Sequence, residues 1–402
     1  MYVYICICVY VYKNTYYRET DTSLEDFGET YRGARWERMH VRHEAHNRAV
    51  ERVMEFIERL SRETNGMITY KAVRRESLSC GDFVNAADYD REVDLVIALG
   101  GDGTTLISSH FIHSNSNSNS NEKKKKKPKL IGVNTDPAFL APCLTFTKKA
   151  EDERRSTGFL CAASANDVED VLKEIIFDDD DAVDDQTNDD GDEHNNNINN
   201  INSNNNKRVE LVKANRISIK VNGKSFGMPL ALNDVLICHN SPAALSRYSI
   251  MLDSSDLVRE KNNKNDTNNI NSFKDVNVND DASTTERAFY HIRSSGVRFC
   301  TGFGSTAAMK SAGGHAMPRT DQRIQYMDRE PIYYDHEAKP PGKGNGFYGP
   351  EKISKFRWNT RVGKIFIDGA NVCRDLKIGD EIEIASARAE DHLEIFQQRL
   401  RK

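Results

Sequence analysis

The chain has 402 residues and a formal net charge of −5, a length sufficient for two domains that each bury a core. Residues 178–193 carry ten acidic and no basic side chains, so the rest of the chain sums to +5. The lysine run 123–127 could contact nucleic acid, but no zinc-finger spacing or aromatic-basic interleaving accompanies it. We therefore predict a solvated loop there and no nucleic-acid partner.

The first segment, residues 1–29, opens with the apolar run MYVYICICVYVY. This run is too short to span a bilayer, and it lacks the basic region and cleavage site of a signal peptide. We leave the segment unassigned, as either an unordered start or a targeting signal, and expect no membrane partner.

Eight cysteines without a CxxC pair predict reduced core thiols in an intracellular compartment. The expected location is cytoplasmic, with mitochondria as the alternative.

Residues 30–177 have the pattern of an α/β domain. Apolar side chains recur at helical spacing over 42–63, and VDLVIALGG (93–101) has the continuous apolar character of a buried strand. The stretch TTLISSHFI (104–112) begins with a threonine suited to capping a helix, and KLIGVNTDP (129–137) is a second buried strand. The order helix, strand, helix, strand predicts a parallel, Rossmann-like sheet with right-handed crossovers.

The turn after the first buried strand carries the clearest functional signal. Ligands of parallel sheets bind at the carboxyl ends of strands, where Gly100, Gly101, Asp102 and Gly103 fall. Three glycines within four positions let backbone N–H groups approach an anion closely. A carboxylate among them would repel a phosphate, so we expect Asp102 to face a magnesium ion or a substrate hydroxyl. The alternative is a tight turn with a capping aspartate.

Residues 208–390 have the pattern of an antiparallel β domain, which we predict to be a sandwich. Asn222-Gly223 is a strong hairpin signal. Asn233-Asp234 interrupts an apolar strand, where polar groups are costly unless paired, and TGFGSTAAMKSAGG (301–314) is a small-residue turn leading into a short helix. Turn residues bound further strand candidates at 245–252, 297–303, 363–369 and 380–386.

Three low-complexity stretches interrupt the two domains. Residues 114–129, 178–207 and 254–286 are dominated by Asn, Ser, Asp and Lys. Such runs cannot bury enough surface to offset chain ordering, so we predict disordered insertions. The last residues, 391–402, are predicted to form a C-terminal tail.

Taken in order, these motifs resemble those of the NAD kinase family. The family pattern is a GGDGT turn, an Asn-acid pair in a strand, a GSTA turn and a late Asp-Gly. Here these are Gly100–Thr104, Asn233-Asp234, 304–314 and Asp368-Gly369. The segments GVNTDP (132–137) and RSTGFLCAAS (155–164) are similar to the branch of plant-type NADH kinases and mitochondrial-type NAD kinases.

The resemblance implies an N-terminal α/β domain, a C-terminal all-β domain and an active site between them. It implies transfer of the γ-phosphoryl group of ATP, with Mg²⁺ or another divalent cation, to the 2′-hydroxyl of the adenosine ribose of NADH or NAD+. Mg²⁺ is expected to be held mainly by the ATP phosphates, and the chain to be a homodimer or a higher homo-oligomer. Asp102 is the implied proton acceptor. The implied substrate- and nucleotide-binding residues are Gly100, Gly101, Gly103, Thr104, Asn134, Phe159, Asn233, Asp234, Arg293, Ser295, Thr306, Ala307, Ser311 and Asp368.

The sequence also departs from the common family pattern. Ser295 stands where many members have an aspartate before the GSTA turn, Ala308 replaces an aromatic residue and Ala370 replaces a glutamine. Loss of a carboxylate beside the nicotinamide would favour the uncharged NADH over the cationic NAD+. Two other functions remain as alternatives: a catalytically inactive dinucleotide sensor, and a lipid kinase of the diacylglycerol type that shares the GGDG turn. A dehydrogenase would require the GxGxxG motif, which the chain lacks.

Overall fold

The computed structural model describes residues 3–9, 34–74, 93–112, 127–135, 158–177, 207–225, 227–253, 287–334 and 344–399. The insertions predicted at 114–129, 178–207 and 254–286 lie almost wholly outside the described residues. The chain divides into two units, which consist of Met1–Lys213 with Leu393–Lys402 and of Ala214–His392.

The first unit contains three helices and seven strands among its described residues. The helices are α1 (Ala34–Glu63), α2 (Asp102–Ser109) and α3 (Val168–Phe177). The strands are β1 (Val3–Val9), β2 (Ile68–Arg74), β3 (Leu95–Gly100), β4 (Lys129–Asn134), β5 (Ala163–Ser164), β6 (Val209–Ala214) and, from the end of the chain, β18 (Leu393–Gln398). Strand β6 ends one residue beyond the boundary of the unit.

The strands of the first unit form one sheet in the order β2-β1-β3-β4-β18-β6, with β5 paired to β4. The pairs of β1 with β2 and β3, and of β4 with β3, β5 and β18, are all parallel. Every residue of β3 is buried, as its unbroken apolar sequence predicts. Helix α1 packs its apolar stripe, which includes Val53, Phe56 and Ile57, into the core that β3 shares. The predicted parallel α/β domain is confirmed.

Three details of this unit differ from the predictions. The N-terminal run left unassigned contains β1, a strand inside the sheet whose Ile5 is fully buried. The segment predicted as a tail contains β18, which pairs with β4. Helix α2 begins at Asp102 with Gly101 as its N-cap, so Thr104 lies in the first turn and does not cap it. The glycine turn and the start of the helix are therefore the same segment.

The second unit contains two antiparallel sheets and one short α-helix among its described residues. One sheet has the order β10-β9-β14-β17-β7 and the other β13-β12-β11-β8-β15-β16. The strands are β7 (Ile217–Val221), β8 (Asp234–Cys238), β9 (Ser246–Asp253), β10 (Arg287–Ser294), β11 (Gly296–Cys300), β12 (Ile324–Arg329), β13 (Asn345–Tyr348), β14 (Ile353–Trp358), β15 (Val362–Ile367), β16 (Val372–Lys377) and β17 (Glu381–Ser386). The helix α4 (Ala308–Ser311) follows a 3-10 turn at Gly304–Thr306.

The two sheets pack face to face through aromatic side chains. Phe299 of β11 contacts Phe356 of β14 edge to face, with ring centroids 5.1 Å apart. Asn222 and Gly223 both have positive φ, as a two-residue hairpin turn requires, although the returning chain forms only a bridge at Lys224. The predicted β sandwich is confirmed. No helix in the described part of the chain combines the length and apolarity needed to cross a membrane.

Candidate active site

The glycine turn of the first unit places Asp102 in the first turn of α2, directly after β3. Its Oδ1 atom accepts a hydrogen bond from the backbone N–H of Leu160 at 2.8 Å. A carboxylate at the N-terminus of a helix is stabilised by the helix dipole. Asp102 is half-buried. The turn therefore holds one carboxylate in a defined orientation at the carboxyl end of a parallel sheet.

The glycines of this turn serve different purposes. A Cβ atom on Gly100 would overlap the side chain of Thr104, so this glycine is required by packing within the turn. A Cβ atom on Gly103 would meet no atom of the described chain within 4 Å. The backbone around Gly103 is thus open to approach by a ligand, as expected for a nucleotide-binding turn.

Other predicted residues of the first unit lie beside the turn. Asn134 ends β4 and is the register partner of Gly100. The side chain of Asn134 fills the space that a Cβ atom on Gly158 would need, and Gly158 has a φ of +68°. Phe159, the next residue, is 39 % exposed although it is a large aromatic. The structure thus brings the 100–104 turn, Asn134 and Phe159 into one neighbourhood.

Two residues that the sequence analysis missed support this neighbourhood. The Nε2 atom of Gln397 on β18 donates a hydrogen bond to the carbonyl of Leu160 at 3.1 Å, and Gln397 is fully buried. Leu160 is therefore held through its carbonyl by Gln397 and through its N–H by Asp102. His46 of α1 lies 2.7 Å from the hydroxyl of Thr135, which donates to the carbonyl of Gly100 at 3.2 Å. Neither residue carries a sequence signal that connects it to the turn.

Burial raises the pKa of the Cys161 thiol far above its ordinary value, and the negative charge of Asp102 raises it further. Cys161 is therefore a neutral thiol at physiological pH. It is inert packing beside the turn and not a nucleophile.

The second unit gathers the Asn-acid pair and the late aspartate. The carboxylate of Asp368 accepts hydrogen bonds from the backbone N–H groups of Leu232, Asn233 and Asp234 at 2.8, 2.7 and 3.0 Å. Asp368 has a φ of +50°. These bonds connect Asp368 to the backbone before β8, so the position predicted to bind nucleotide also anchors the segment that carries Asn233 and Asp234.

The small-residue turn packs against the same segment. A Cβ atom on Gly304 would overlap the backbone carbonyl of Asn233. Thr301 binds this segment twice, with its N–H donating to the Asn233 carbonyl at 3.0 Å and its hydroxyl to the Leu232 carbonyl at 2.5 Å. Thr306 is half-buried, whereas Ala307 and Ser311 are exposed on the turn and on α4. The predicted GSTA turn and the Asn-acid pair are thus neighbours.

Two polar features of the Asn-acid pair are unusual. The Oδ1 atom of Asn233 is buried and has no hydrogen-bond partner among the described residues. Such an acceptor costs free energy unless a ligand or water satisfies it. The carboxylate of Asp234 accepts a hydrogen bond from the guanidinium of Arg298, which the sequence analysis missed. The signal was present, because Arg298 is a charged residue inside the apolar strand β11, as Asp234 is in β8.

The structure does not place Arg293 and Ser295 beside the Asn-acid pair and the GSTA turn. Cys300 at one end of β11 is opposite Asp234, while Ser295 precedes the other end. Five residues of extended chain correspond to about 16 Å. Arg293 lies on β10, where its guanidinium is 5.3 Å from the centre of the Tyr334 ring. These two predicted contacts therefore belong to a separate region of the second unit.

Comparison with known proteins adds three findings. A protein named probable NADH kinase from Oryza sativa subsp. japonica is 32 % identical over 298 residues, which cover 73 % of this chain and 69 % of that protein. A protein named NADH kinase from Arabidopsis thaliana is 31 % identical over 296 residues, covering 74 % and 71 %. The crystal structure of yeast NADH kinase complexed with NADH shares the fold, with a TM-score of 0.53 at 15 % identity over 99 % of this chain and 84 % of that one. No protein-family model matches the sequence.

Proposed function

This chain belongs to the NAD kinase family, on the branch of the plant NADH kinases, and we propose that Asp102 is its catalytic proton acceptor. The reaction is transfer of a phosphoryl group to the 2′-hydroxyl of the adenosine ribose of NADH or NAD+, with ATP as the proposed donor. The observation that carries the proposal is the fixed carboxylate at the start of α2, one oxygen of which binds the Leu160 N–H.

Phosphoryl transfer passes through a loose transition state, so positioning and charge neutralisation dominate catalysis. A ribose hydroxyl becomes a competent nucleophile when a carboxylate accepts its proton. Asp102 suits this role because its position is set by the helix turn and by the Leu160 N–H. The open backbone around Gly103 gives the substrate close access to that carboxylate.

The remaining roles in the first unit follow from exposure and chemistry. Phe159 presents an exposed ring beside the turn, and we assign it to stacking on a nucleotide base. Asn134 supplies an amide at the end of the neighbouring strand, opposite Gly100. Backbone N–H groups of the 100–104 turn contribute partial positive charge at the helix N-terminus, which suits phosphate.

In the second unit, Asn233 and Asp234 are assigned to ribose hydroxyls. The unsatisfied Oδ1 atom of Asn233 can accept a hydrogen bond from a hydroxyl, which would remove the cost of burying it. The carboxylate of Asp234 has a second oxygen that the bond to Arg298 does not use. Ala307 and the residues around it are small, so the turn leaves room for a ring.

We assign Mg²⁺ mainly to the phosphates of ATP. Among the residues that the structure describes, no group of three His, Cys, Asp or Glu side chains lies close enough to hold a metal ion. When bound, the ion neutralises charge on the phosphates.

The test is a coupled assay with ATP and magnesium that compares NADH with NAD+ as acceptor. We expect NADPH to form, with a higher kcat/KM for NADH than for NAD+, because both plant relatives are named as NADH kinases. Equal values for the two acceptors would contradict the NADH preference but not the kinase activity.

The matched variant is Asp102→Asn, which keeps the size of the side chain and removes its basicity. Loss of a general base lowers kcat by about 10²–10⁴-fold. The Kd for NADH, measured by its fluorescence, should change little. A parent protein that binds NADH, forms no NADPH and is unaffected by Asp102→Asn would instead be a dinucleotide sensor.

A further inference from the structure

We propose that Arg298 is a positioning residue for the dinucleotide, which acts by keeping the carboxylate of Asp234 ionised and fixed in orientation. This inference rests on the proposed function, because it takes Asp234 to accept a hydrogen bond from a ribose hydroxyl. Arg298 itself is assigned no contact with the substrate.

The geometry places the two side chains on adjacent antiparallel strands. Arg298 lies on β11 and Asp234 begins β8, and the register pairs Cys300 with Asp234 and Arg298 with Leu236. The guanidinium Nη1 atom donates to Oδ2 of Asp234. The two side chains are only 15 % and 18 % exposed. An ion pair this well shielded from water is screened much less than one on the surface.

The charges around Asp234 explain why it needs this partner. Burial raises the pKa of the Asp234 carboxyl, Arg298 lowers it, and the negative charge of Asp368 raises it again. Cys300, opposite Asp234, has a pKa raised to about 12, mainly by burial, and so carries no charge near neutral pH. Among the described groups that act on Asp234, Arg298 is the one that favours the ionised carboxylate.

The orientation of the carboxylate follows from the same contact. Asp368 fixes the backbone at Asp234 through the N–H bond at 3.0 Å, and Arg298 fixes the side chain through Oδ2. Oδ1 is then left in a defined position to accept a hydrogen bond from a hydroxyl. A carboxylate anchored in this way binds a ribose without losing further side-chain entropy.

Removal of Arg298 should change the pKa of Asp234 in a predictable direction. Without the guanidinium, the pKa of Asp234 rises further, because burial and Asp368 remain. As the pH falls, a larger fraction of the protein then has Asp234 protonated, and a protonated carboxyl is a poorer hydrogen-bond acceptor. Affinity for NADH should therefore become pH-dependent, being weaker at lower pH than at higher pH.

The experiment measures the Kd and KM for NADH in Arg298→Met and Arg298→Lys at about pH 6 and about pH 8. We expect Arg298→Met to weaken NADH binding by about 10-fold or more at the lower pH, the equivalent of one hydrogen bond to a charged group. The loss should be smaller at the higher pH. Arg298→Lys, which keeps the charge, should recover most of the affinity. In both variants kcat should change less than KM.

The decisive comparison repeats Arg298→Met in an Asp234→Asn background, where no carboxylate remains to be positioned. We expect no further loss of affinity and no pH dependence there. An equal loss in both backgrounds, or a pH-independent loss, would show that Arg298 acts on the fold and would overturn the proposal. Arg323→Met is the control, because the side chain of Arg323, which pairs with Asp321 in the same unit, is 52 % exposed.

The binding measurement separates this proposal from the proposed function. If the parent binds NADH but forms no NADPH from ATP, the kinase function fails while the Kd comparison still tests Arg298. If the parent does not bind NADH, both fail. Melting temperatures of all variants identify any that are unfolded, and for those the Lys variant supplies the comparison.

Discussion

At the scale of single residues, two glycines of the candidate site illustrate different demands on the backbone. Gly304 touches the chain itself, because a Cβ atom there would overlap the carbonyl of Asn233. A Cβ atom on Gly103 would meet nothing within 4 Å, so its lack of a side chain has no explanation in the packing of the described residues. The first glycine therefore serves the fold, and we infer that the second serves the ligand.

This contrast predicts opposite effects of the same substitution. Gly304→Ala should lower the melting temperature by several degrees, because backbone at Asn233 must shift, at a cost of about 1–3 kcal/mol. Gly103→Ala should leave the melting temperature unchanged or raise it, since alanine is favoured over glycine in a helix by about 1 kcal/mol.

Enzyme kinetics should instead single out the Gly103→Ala variant. Gly103→Ala is expected to raise the KM for ATP or NADH while the protein stays folded. Calorimetry and steady-state kinetics on both variants test this. A Gly103→Ala variant with unchanged kinetic constants would mean that no ligand approaches this backbone.

At the scale of elements, the catalytic turn depends on a strand from the far end of the chain. Asp102 on α2 binds the N–H of Leu160, and Gln397 on β18 binds its carbonyl. Strand β18 is parallel to β4, next to β3, which leads into the turn. The orientation of Asp102 is thus connected to β18 through one residue.

Gln397→Met tests this connection. The substitution keeps the length of the side chain and removes the donor, so the buried carbonyl of Leu160 loses a partner at a cost of about 1–3 kcal/mol. We expect a lower melting temperature and a lower kcat with a smaller change in KM. Gln398→Met is the matched control, because Gln398 is the exposed neighbour on the same strand. Equal kcat values in the two variants would contradict the role assigned to Gln397.

The elements that the sequence predicted share a strong local pattern. The unbroken apolar run of β3, the helical spacing of apolar residues in α1 and the Asn222-Gly223 turn are each visible within one short stretch of sequence. The motifs also identified which segments lie together within each unit, apart from Arg293 and Ser295. Those two were assigned by resemblance, and the register of β11 separates them from Asp234.

The features that sequence analysis missed are long-range pairings. Strands β1 and β18 have apolar runs, but nothing in either run says which strand of the sheet lies beside it. The contacts of Gln397 with Leu160 and of Arg298 with Asp234 likewise join residues distant in sequence. Pairings of this kind are set by topology, which local composition does not encode.

At the scale of the whole molecule, each unit has its own core, and that of the first unit includes β1. Ile5 is fully buried and belongs to the same apolar cluster as Ile97 and Phe56. Ile5, near the start of the sequence, is therefore part of this core, so its substitution should destabilise the protein.

Ile5→Ala should reduce the free energy of unfolding by about 2–5 kcal/mol, as expected when a large buried side chain leaves a cavity. Urea denaturation followed by circular dichroism measures this loss. The control is Ile378→Ala, whose isoleucine is 65 % exposed and whose loss should cost about 0.5 kcal/mol or less. Similar losses for the two variants would argue against β1 as a core strand.

The position of β18 also has a consequence for biosynthesis. Proteins usually acquire their domains from the N-terminus onward while the ribosome is still translating. Here the sheet of the first unit lacks β18, the partner of β4, until all of Ala214–His392 has been translated. The later-encoded unit can therefore mature first, and the nascent Asp102 turn acquires its Gln397 support only after that.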